Sequence, residues 1–300
     1  MKKIAISIGD LNGVGIEIAL KTHKEIKKFI NPIYCINKKM LEKASKLLNI
    51  SIPDDFEIYP TFGEFEINIG KVDSSAGLYS FNSFIDAINL AKKNKVDGIC
   101  TLPINKESWD KAGINYHGHT EVLRNVFQKD AIMMLGCEDM YVSLFTEHIP
   151  ISEVSKKVTK KNLVRFFKDF YNSTKFQKIN VLALNPHAGD GGILGKEEIE
   201  EIIPAINEIN SQIGKEIFSK PLVPDTAFLS KKGVFIAMYH DQGLIPLKVL
   251  YFDKSINVSL NLPIIRTSVD HGTAFDIAYQ NKANTQSYIE AIKYHIKGSK

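Results

Sequence analysis

Short apolar runs alternate with longer amphipathic stretches along the chain, and this alternation restricts the fold more than any other feature of the sequence. Apolar runs of roughly four to eight residues between turn signals predict buried strands. The longer stretches carry apolar residues at helical spacing, as residues 79–94 do. Strands that alternate with helices predict an α/β fold with a mostly parallel sheet.

The predicted elements run through nearly the whole sequence. Strands are predicted at residues 4–8, 32–36, 96–102, 140–145, 179–184 and 234–238, and helices at 15–28, 40–48, 79–94, 160–172 and 196–212. The last helix opens with Glu197 and Glu198, whose charges suit the positive end of a helix dipole. Residues 51–76 lack such a pattern, which predicts an irregular segment that belongs to one domain. A length of 300 residues suits two domains or one large α/β unit.

Three histidines share one position relative to the predicted strands. His148 follows the run 140–145, His187 follows 179–184, and His240 follows 234–238. Open α/β sheets bind ligands outside the carboxyl ends of their strands, and imidazole is a common metal ligand. Each histidine alone fits a hydrogen-bonded loop residue at least as well, but three in the same position favour a divalent metal site.

The composition excludes several classes of protein. Hydrophobic residues make up 44% and charged residues 24% of the chain, which are ordinary globular values. The net charge of +4 comes from scattered lysines, which suits a small anionic substrate and predicts no nucleic-acid partner. The three cysteines form no Cys-x-x-Cys pair and predict neither a disulfide framework nor a zinc knuckle. The apolar N-terminal stretch is too short for a signal peptide and no run approaches transmembrane length, so we expect a cytoplasmic protein without a membrane partner.

Several loops carry residues that could bind ligands. The loop 9–15 could expose a helix N-terminus to an anion, or it could be a structural turn. His119 is a cation-capable donor beside Thr120, and the pair suits a phosphate or carboxylate unless Thr120 only caps a helix. Asp225 supplies a carboxylate at another loop–helix junction, where plain N-capping is the alternative.

Two cations and a glycine-rich loop complete the candidates. Lys248 interrupts the apolar run 244–250, and burying a lysine there is costly unless its charge is paired. Arg266 ends another apolar run, where an arginine suits bidentate binding of an anion. Both could instead be surface cations whose stems lie on apolar groups. Residues 189–195 contain four glycines, which predicts either close approach of the backbone to a ligand or a long surface turn.

Five blocks of sequence resemble one known family, that of the NAD-dependent 4-hydroxythreonine-4-phosphate dehydrogenases of pyridoxal phosphate (vitamin B6) biosynthesis. They are Leu-Pro-Ile-Asn-Lys at 102–106, Gly-His-Thr-Glu at 118–121, Asn-Pro-His-Ala-Gly-Asp-Gly-Gly at 185–192, Met-Tyr-His-Asp-Gln-Gly at 238–243 and Leu-Pro-Ile-Ile-Arg-Thr-Ser-Val-Asp-His-Gly-Thr-Ala at 262–274. Matching blocks extend in order from Gly9 to Ala278. Two departures are Leu11 and Ile16, which stand where the family usually has proline, and the stretch between Asp225 and His240, which is shorter than usual.

The resemblance implies a fold like that of isocitrate and isopropylmalate dehydrogenases, with two α/β domains and a cleft between them. It implies a first domain of residues 1–125 and 262–300. The second domain, 126–261, would hold most metal ligands and the interface of a homodimer.

The resemblance also implies roles for individual residues. The metal ligands would be His148, His187 and His240, and the substrate ligands His119, Thr120, Lys248, Asn257 and Arg266. Lys248 would transfer protons, with Asp241 as its rival and Asp225 near the metal. The dinucleotide would lie against Gly189, Gly191, Gly192, Gly195, Asp270, His271, Gly272 and Thr273. Three imidazoles suit zinc, while cobalt, manganese or magnesium stay open, as does the choice between NAD and NADP.

The implied reaction is metal-dependent oxidation of 4-phosphohydroxy-L-threonine, with decarboxylation to 3-amino-2-oxopropyl phosphate. A related dehydrogenase for another phosphorylated hydroxy acid, such as 4-phospho-erythronate, is the near alternative. A phosphate acyltransferase of related fold, which needs no metal, is a second alternative, and a metabolite-binding protein without catalysis is a third.

Overall fold

The computed structural model describes residues 1–297, which form two compact units. The first unit consists of Met1–Lys129, Ile256–Val258 and the described chain from Leu262 onwards. The second unit consists of Asp130–Ser255 and Ser259–Asn261. The domain boundaries implied by the resemblance stay a prediction, and residues 298–300 of the expected first domain lie outside the described residues.

Ten strands and eleven α-helices occur among the described residues. The strands are β1 (Lys3–Ser7), β2 (Asn31–Cys35), β3 (Ile58–Tyr59), β4 (Gly98–Thr101), β5 (Ile132–Cys137), β6 (Met140–Leu144), β7 (Asn180–Val181), β8 (Gly233–Ala237), β9 (Ile256–Leu260) and β10 (Ile265–Val269). The helices are α1 (Gly15–Ile26), α2 (Lys38–Leu48), α3 (Ser74–Lys92), α4 (Lys106–Lys111), α5 (His119–Phe127), α6 (Ile151–Lys157), α7 (Lys160–Thr174), α8 (Ile203–Ile213), α9 (Pro224–Ala227), α10 (His240–Tyr251) and α11 (Gln286–Lys297). Among these residues, no helix combines the length and apolar character needed to cross a bilayer.

The first unit is built on parallel strands in the order β3-β2-β1-β4-β10. All four residues of β4 are buried, as expected for a central parallel strand with helices on both faces. Helix α3 packs on β1, and α11 packs on β10. The indole of Trp109 lies in the same core as Phe84 and donates from Nε1 to Ser80 Oγ at 2.8 Å, which satisfies its one polar atom.

The second unit contains strands in the order β5-β6-β8-β7. Strands β5 and β6 are antiparallel, whereas β6, β8 and β7 are parallel to one another. Helix α10 packs on β6 and β8 and contributes Leu244 and Leu247 to the core there. The predicted α/β fold with mostly parallel strands is therefore confirmed.

Three local predictions differ from the structure. The strand predicted at 179–184 is only two residues long, because Ile179 and Leu182 make isolated bridges to Phe218 and Leu222. The helix predicted at 196–212 begins with a π-helical turn, Glu198–Ile202. The Gly-containing loop 267–274 also predicts a following helix with Asp276 in its first turn, and this helix does not form. Residues 275–281 are turns in which Tyr279 and Asn281 have left-handed φ values, which a right-handed helix cannot contain.

His295 of α11 is a buried histidine that fixes this helix to the first unit. Its Nε2 lies 2.9 Å from Thr267 Oγ1, and its ring lies against Gly98, where an added Cβ would come within 2.7 Å of the imidazole. Burial, with the nearby charge of Lys2, lowers the pKa of His295 to about 3. The unfolded chain binds a proton to this histidine near pH 6.5, and the folded chain does not.

We predict that His295 makes the protein less stable as the pH falls below 6.5. The contribution of His295 to the free energy of unfolding is fully present above pH 6.5. It is lost at about 1.4 kcal/mol per pH unit as the pH falls toward 3, because the unfolded state binds the extra proton. In His295→Gln the free energy of unfolding should fall less steeply between pH 6.5 and 4.5. Urea unfolding followed by the fluorescence of Trp109, the single tryptophan, measures both slopes.

The matched control is His117→Gln, the same substitution at an exposed histidine of the same unit. This control should keep the slope of the unaltered protein. Parallel pH curves for the unaltered protein and His295→Gln would contradict the prediction.

Candidate functional site

The ends of β6 and β8 are joined by a threonine just beyond β6. Phe145 N donates to Ala237 O at 2.9 Å, and Thr146 N donates to Met238 O at 3.2 Å. The hydroxyl of Thr146 donates to the same carbonyl at 2.6 Å. The backbone just before His148 is therefore fixed to the backbone just before His240.

Gln242 extends this connection to the third histidine-bearing loop. Its Oε1 accepts from Met238 N at 2.7 Å, and its Nε2 donates to Ala183 O at 2.7 Å. Gln242 lies in the first turn of α10, which begins at His240. One amide side chain thus satisfies backbone groups before two of the three candidate histidines.

His148 and His240 lie next to each other. Their ring centres are 5.5 Å apart, with 44° between the ring planes. Two imidazoles bound to one metal at ordinary metal–nitrogen distances have ring centres about 5 Å apart, so this pair fits two ligands of one ion. His240 Nδ1 lies 2.7 Å from Asp241 Oδ1, and a proton shared with that carboxylate leaves Nε2 as the electron-pair donor.

His187 lies in a turn of unusual backbone conformation, Pro186–Gly192. Five consecutive residues, His187 to Gly191, have φ values between +44° and +80°. No group of three or more His, Cys, Asp or Glu side chains in residues 1–297 is placed to hold a metal ion. The three-histidine site therefore stays a prediction.

Arg266 is buried in the first unit near the beginning of β10. Its Nε and Nη2 donate to Thr101 Oγ1 at 3.1 and 2.6 Å. The expectation that Arg266 ends a strand is wrong, and so is the alternative of a surface cation, because pairing of β10 with β4 puts this side chain inside. Burial lowers the pKa of Arg266 to about 10, so it remains a cation at neutral pH.

His119 begins α5, and its ring packs edge-on against Phe84 and Trp109, with centroids 4.5 and 5.7 Å away. Burial, and then the charge of Arg266, lowers the pKa of His119 well below its usual range. The interpretation of His119 as a cation-capable donor is therefore wrong at neutral pH, where it is a neutral donor or acceptor. Gly118 precedes the helix, so Thr120 is not its N-cap.

Several buried polar atoms in the first unit lack a hydrogen-bond partner among the described residues, and two of them belong to candidate substrate ligands. They are His119 Nε2 and Asn257 Oδ1, the latter on β9 beside β10. Buried polar atoms of folded proteins are normally hydrogen-bonded to protein or water. The charge of Arg266 affects the pKa of His119, so these two side chains offer a cation and a neutral hydrogen-bonding group close to each other.

Asp225 and Lys248 lie on two different helices of the second unit. Asp225 is the second residue of α9, whose N-cap is Val223, so plain N-capping by Asp225 is wrong. Lys248 is half-buried on α10, and its Nζ lies 5.5 Å from the centre of the Phe252 ring.

The candidate dinucleotide residues fall into two segments. Gly189, Gly191 and Gly192 lie in the left-handed turn of the second unit, and Gly195 follows it. The segment from Asp270 to Thr273 belongs to the first unit and packs on the loop 9–15, where Val14 N donates to Thr273 O at 3.0 Å. In the same loop, the carbonyl oxygen of Asn12 accepts a hydrogen bond from Gly70 N at 2.9 Å. These contacts favour a structural turn for the loop 9–15.

Sequence reasoning missed Thr101, Thr146 and Gln242 as residues that position the site. Each is a polar residue at or just beyond the end of a buried strand, where the sheet leaves backbone groups or buried charges to satisfy. A polar side chain at the end of an apolar run was the available signal.

Comparisons with known proteins match the chain over nearly its full length. The family model described as pyridoxal phosphate biosynthetic protein PdxA matches residues 28–295. A 4-hydroxythreonine-4-phosphate dehydrogenase of Campylobacter fetus is 55% identical, with 99% of this chain and 98% of the relative covered. The enzyme of the same name from Sulfurimonas denitrificans is 58% identical, with 97% of this chain and 96% of the relative covered. A crystal structure of the Klebsiella pneumoniae 4-hydroxythreonine-4-phosphate dehydrogenase has a TM-score of 0.82 at 31% identity, with 98% and 97% covered.

We predict that Gln242→Met lowers the free energy of unfolding by about 2 kcal/mol. Methionine keeps the length of the side chain but leaves Met238 N and Ala183 O without their partner, and a buried unsatisfied group costs roughly 1–3 kcal/mol. Urea denaturation measures the change. Gln212→Met is the matched control, because exposed Gln212 donates to Glu208 and to no other group within residues 1–297, and its effect should stay within about 0.5 kcal/mol. Equal effects of the two substitutions would contradict the role of Gln242.

Proposed function

This chain belongs to the PdxA family of pyridoxal phosphate biosynthetic proteins, and from that membership we propose its reaction, cofactors and site residues. It is an oxidoreductase, a 4-hydroxythreonine-4-phosphate dehydrogenase by family. The substrate is 4-phosphohydroxy-L-threonine, which transfers a hydride to NAD, loses carbon dioxide and gives 3-amino-2-oxopropyl phosphate. The observation that carries the proposal is the His148–His240 pair, two imidazoles 5.5 Å apart beyond the ends of adjacent parallel strands.

The proposed metal ligands are His148, His187 and His240. Imidazoles suit zinc, with cobalt, manganese and magnesium as the alternatives for the test below. When bound, a divalent ion supplies Lewis acidity that makes a coordinated hydroxyl more acidic and stabilises negative charge beside it. Asp241 orients His240 through the 2.7 Å contact at Nδ1, and Asp225 lies in the same unit as a further carboxylate.

Lys248 is the proposed proton-transfer group. Asp241 is the rival group, and its carboxylate is engaged by His240 Nδ1. Lys248 is on the same helix as His240, and its ammonium group is a hydrogen-bond donor on a long, flexible side chain.

The proposed anion ligands are in the first unit. Arg266 supplies a positive charge that is held in place by Thr101, and His119 supplies a neutral hydrogen-bonding nitrogen. Thr120 and Asn257 add a hydroxyl and an amide. One cation among neutral polar groups suits a phosphate or carboxylate, whose negative charge pairs with that of the guanidinium group.

The proposed dinucleotide ligands are the two loop segments already described. Gly189, Gly191, Gly192 and Gly195 leave the backbone accessible, since they carry no side chain. Asp270, His271, Gly272 and Thr273 follow β10, at the end of a parallel strand where α/β folds bind ligands. His271 Nε2 is buried without a partner in the described residues, which supports a polar ligand there.

We also propose that the protein is a homodimer formed through α10. Ile245, Val249 and Phe252 are 61%, 80% and 60% exposed, and their spacing puts them on one side of the helix and its extension. An exposed apolar stripe of this kind is typical of an interface between protein subunits. A second copy of the chain is the occupant that the family resemblance implies.

We predict NADH formation from 4-phosphohydroxy-L-threonine and NAD, followed by absorbance at the NADH band with purified protein. Treatment with a chelator should lower the rate at least tenfold, and added zinc, cobalt, manganese or magnesium should restore it, because the metal assists removal of the hydroxyl proton. Parallel assays with NADP and with 4-phospho-erythronate test the choice of cofactor and substrate. Full activity after complete metal removal would contradict the metal site, and absence of NADH with every metal in folded protein would contradict the reaction.

We predict that Ile245→Asp shifts the protein from dimer to monomer. A carboxylate in the apolar stripe costs several kcal/mol when it is covered by a second copy. The molar mass measured by light scattering should fall from twice 33.7 kDa to 33.7 kDa. The matched control is Ile151→Asp on α6, which changes an isoleucine that is 70% exposed outside the stripe and should leave the dimer intact. A monomeric unaltered protein, or a dimeric Ile245→Asp, would contradict this interface.

A further inference from the structure

The turn that carries His187 has a conformation that its residues do not favour. His187, Ala188 and Asp190 have φ values of 52°, 54° and 44°, in the left-handed region that non-glycine residues rarely adopt. Such strain persists only where surrounding contacts determine the backbone, and it concentrates at functional sites. Some contact must therefore hold the chain on either side of this turn.

The contact is made by Glu198, an acid that is almost completely buried. Its Oε1 accepts from the backbone N–H groups of Leu184 and Asn185, both at 2.8 Å. Its Oε2 accepts from Asn185 Nδ2 at 3.0 Å. These donors immediately precede the left-handed turn, so the carboxylate fixes the backbone at the point where the chain enters the turn.

Glu198 also touches the turn itself. A Cβ built on Gly189 would lie 2.7 Å from Glu198 Oε2. The carboxylate is brought to this position by the π-helical turn Glu198–Ile202, which leaves Glu198 1% exposed and its apolar neighbour Ile199 50% exposed. A buried acid beside an exposed isoleucine is costly for stability alone, which points to a positioning role.

We propose that Glu198 is a positioning residue for His187, and that its carboxylate sets the left-handed turn that directs this imidazole toward the metal. The inference rests on the proposed function, because it assumes that His187 is a metal ligand. Partners that orient a metal ligand typically change metal affinity by 10–100-fold when they are altered.

The first test is Glu198→Gln in the full-length protein. A neutral amide oxygen is a weaker acceptor than a carboxylate for the two backbone N–H groups, and the NH2 group of glutamine cannot accept from the Asn185 amide. The dissociation constant for Zn²⁺, measured by competition with a chromophoric chelator, should rise 10–100-fold. The visible spectrum of the Co²⁺-loaded protein should change, and hydrogen exchange at residues 184–195 of the metal-free protein should be faster.

Glu197→Gln is the matched control. Glu197 Oε2 accepts from the same Asn185 amide at 2.7 Å, and the described contacts include none from its carboxylate to the backbone of the turn. It should change the Zn²⁺ dissociation constant less than threefold. Equal effects of the two substitutions, or an unchanged constant in Glu198→Gln, would overturn the proposal.

A pair of glycine substitutions tests the same contact without changing the acid. Gly189→Ala and Gly191→Ala both introduce a side chain at a left-handed residue, with φ values of 80° and 63°. The alanine at 189 meets Glu198 Oε2 at 2.7 Å and the carbonyl oxygen of Gly195 at 2.9 Å, whereas that at 191 has no atom within 4 Å. Metal affinity should fall at least fivefold more in Gly189→Ala, and equal losses would overturn the proposal.

His187→Ala separates the inference from its premise. A large loss of Zn²⁺ affinity in His187→Ala without one in Glu198→Gln would overturn the role of Glu198 and leave the metal site intact. Unchanged Zn²⁺ affinity in His187→Ala would overturn the metal role of His187, and with it the positioning role of Glu198.

Discussion

The peptide of Met238 is the point on which the candidate metal region depends. Beyond the end of β8 the sheet no longer supplies partners for backbone groups, and a buried group left without one costs roughly 1–3 kcal/mol. Gln242 accepts the N–H of Met238, and Thr146 donates to its carbonyl. Because Thr146 and Gln242 each stand two residues from a candidate histidine, the contacts that satisfy the backbone also bring His148 and His240 together. Stability and the geometry of the site therefore come from the same hydrogen bonds, and a change in either side chain affects both.

Each unit contains a buried charged side chain that is stabilised by neutral dipoles of the chain. Arg266 donates to the hydroxyl of Thr101, and Glu198 accepts from the backbone of Leu184 and Asn185. Burying a charge is costly unless its hydrogen-bonding capacity is used, and both side chains use it. The consequence for Arg266 reaches further, because its charge and the burial of His119 keep that imidazole neutral. The region thus has one permanent cation beside a neutral nitrogen, a division that does not depend on pH near neutrality.

The sequence predicted the alternation of strands and helices because apolar periodicity reflects burial directly. It also predicted that histidines follow three strands, since the glycines and prolines beside them mark where those strands stop. It failed where long-range pairing decides the outcome: Arg266 is internal because β10 pairs with β4 in a register that places Arg266 opposite Ile99. It also failed at Glu198, because the negative charge of this residue predicted an exposed position in the first turn of a helix. The π-helical turn instead directs this acid inward and Ile199 outward, and nothing in the local composition signals that change of register.

Helix α10 combines three tasks that its sequence separates by face. Gly243, Leu244 and Leu247 are buried against the sheet, while His240 and Gln242 act in its first turn. Ile245, Val249 and Phe252 are exposed, and Lys248 lies beside them with its ammonium 5.5 Å from the Phe252 ring. Under the proposed dimer, a second copy that covers these apolar groups also removes water around Lys248. Electrostatic interactions of a lysine with a bound anion are stronger where water is excluded, so association would serve the chemistry of Lys248 as well as the burial of apolar surface.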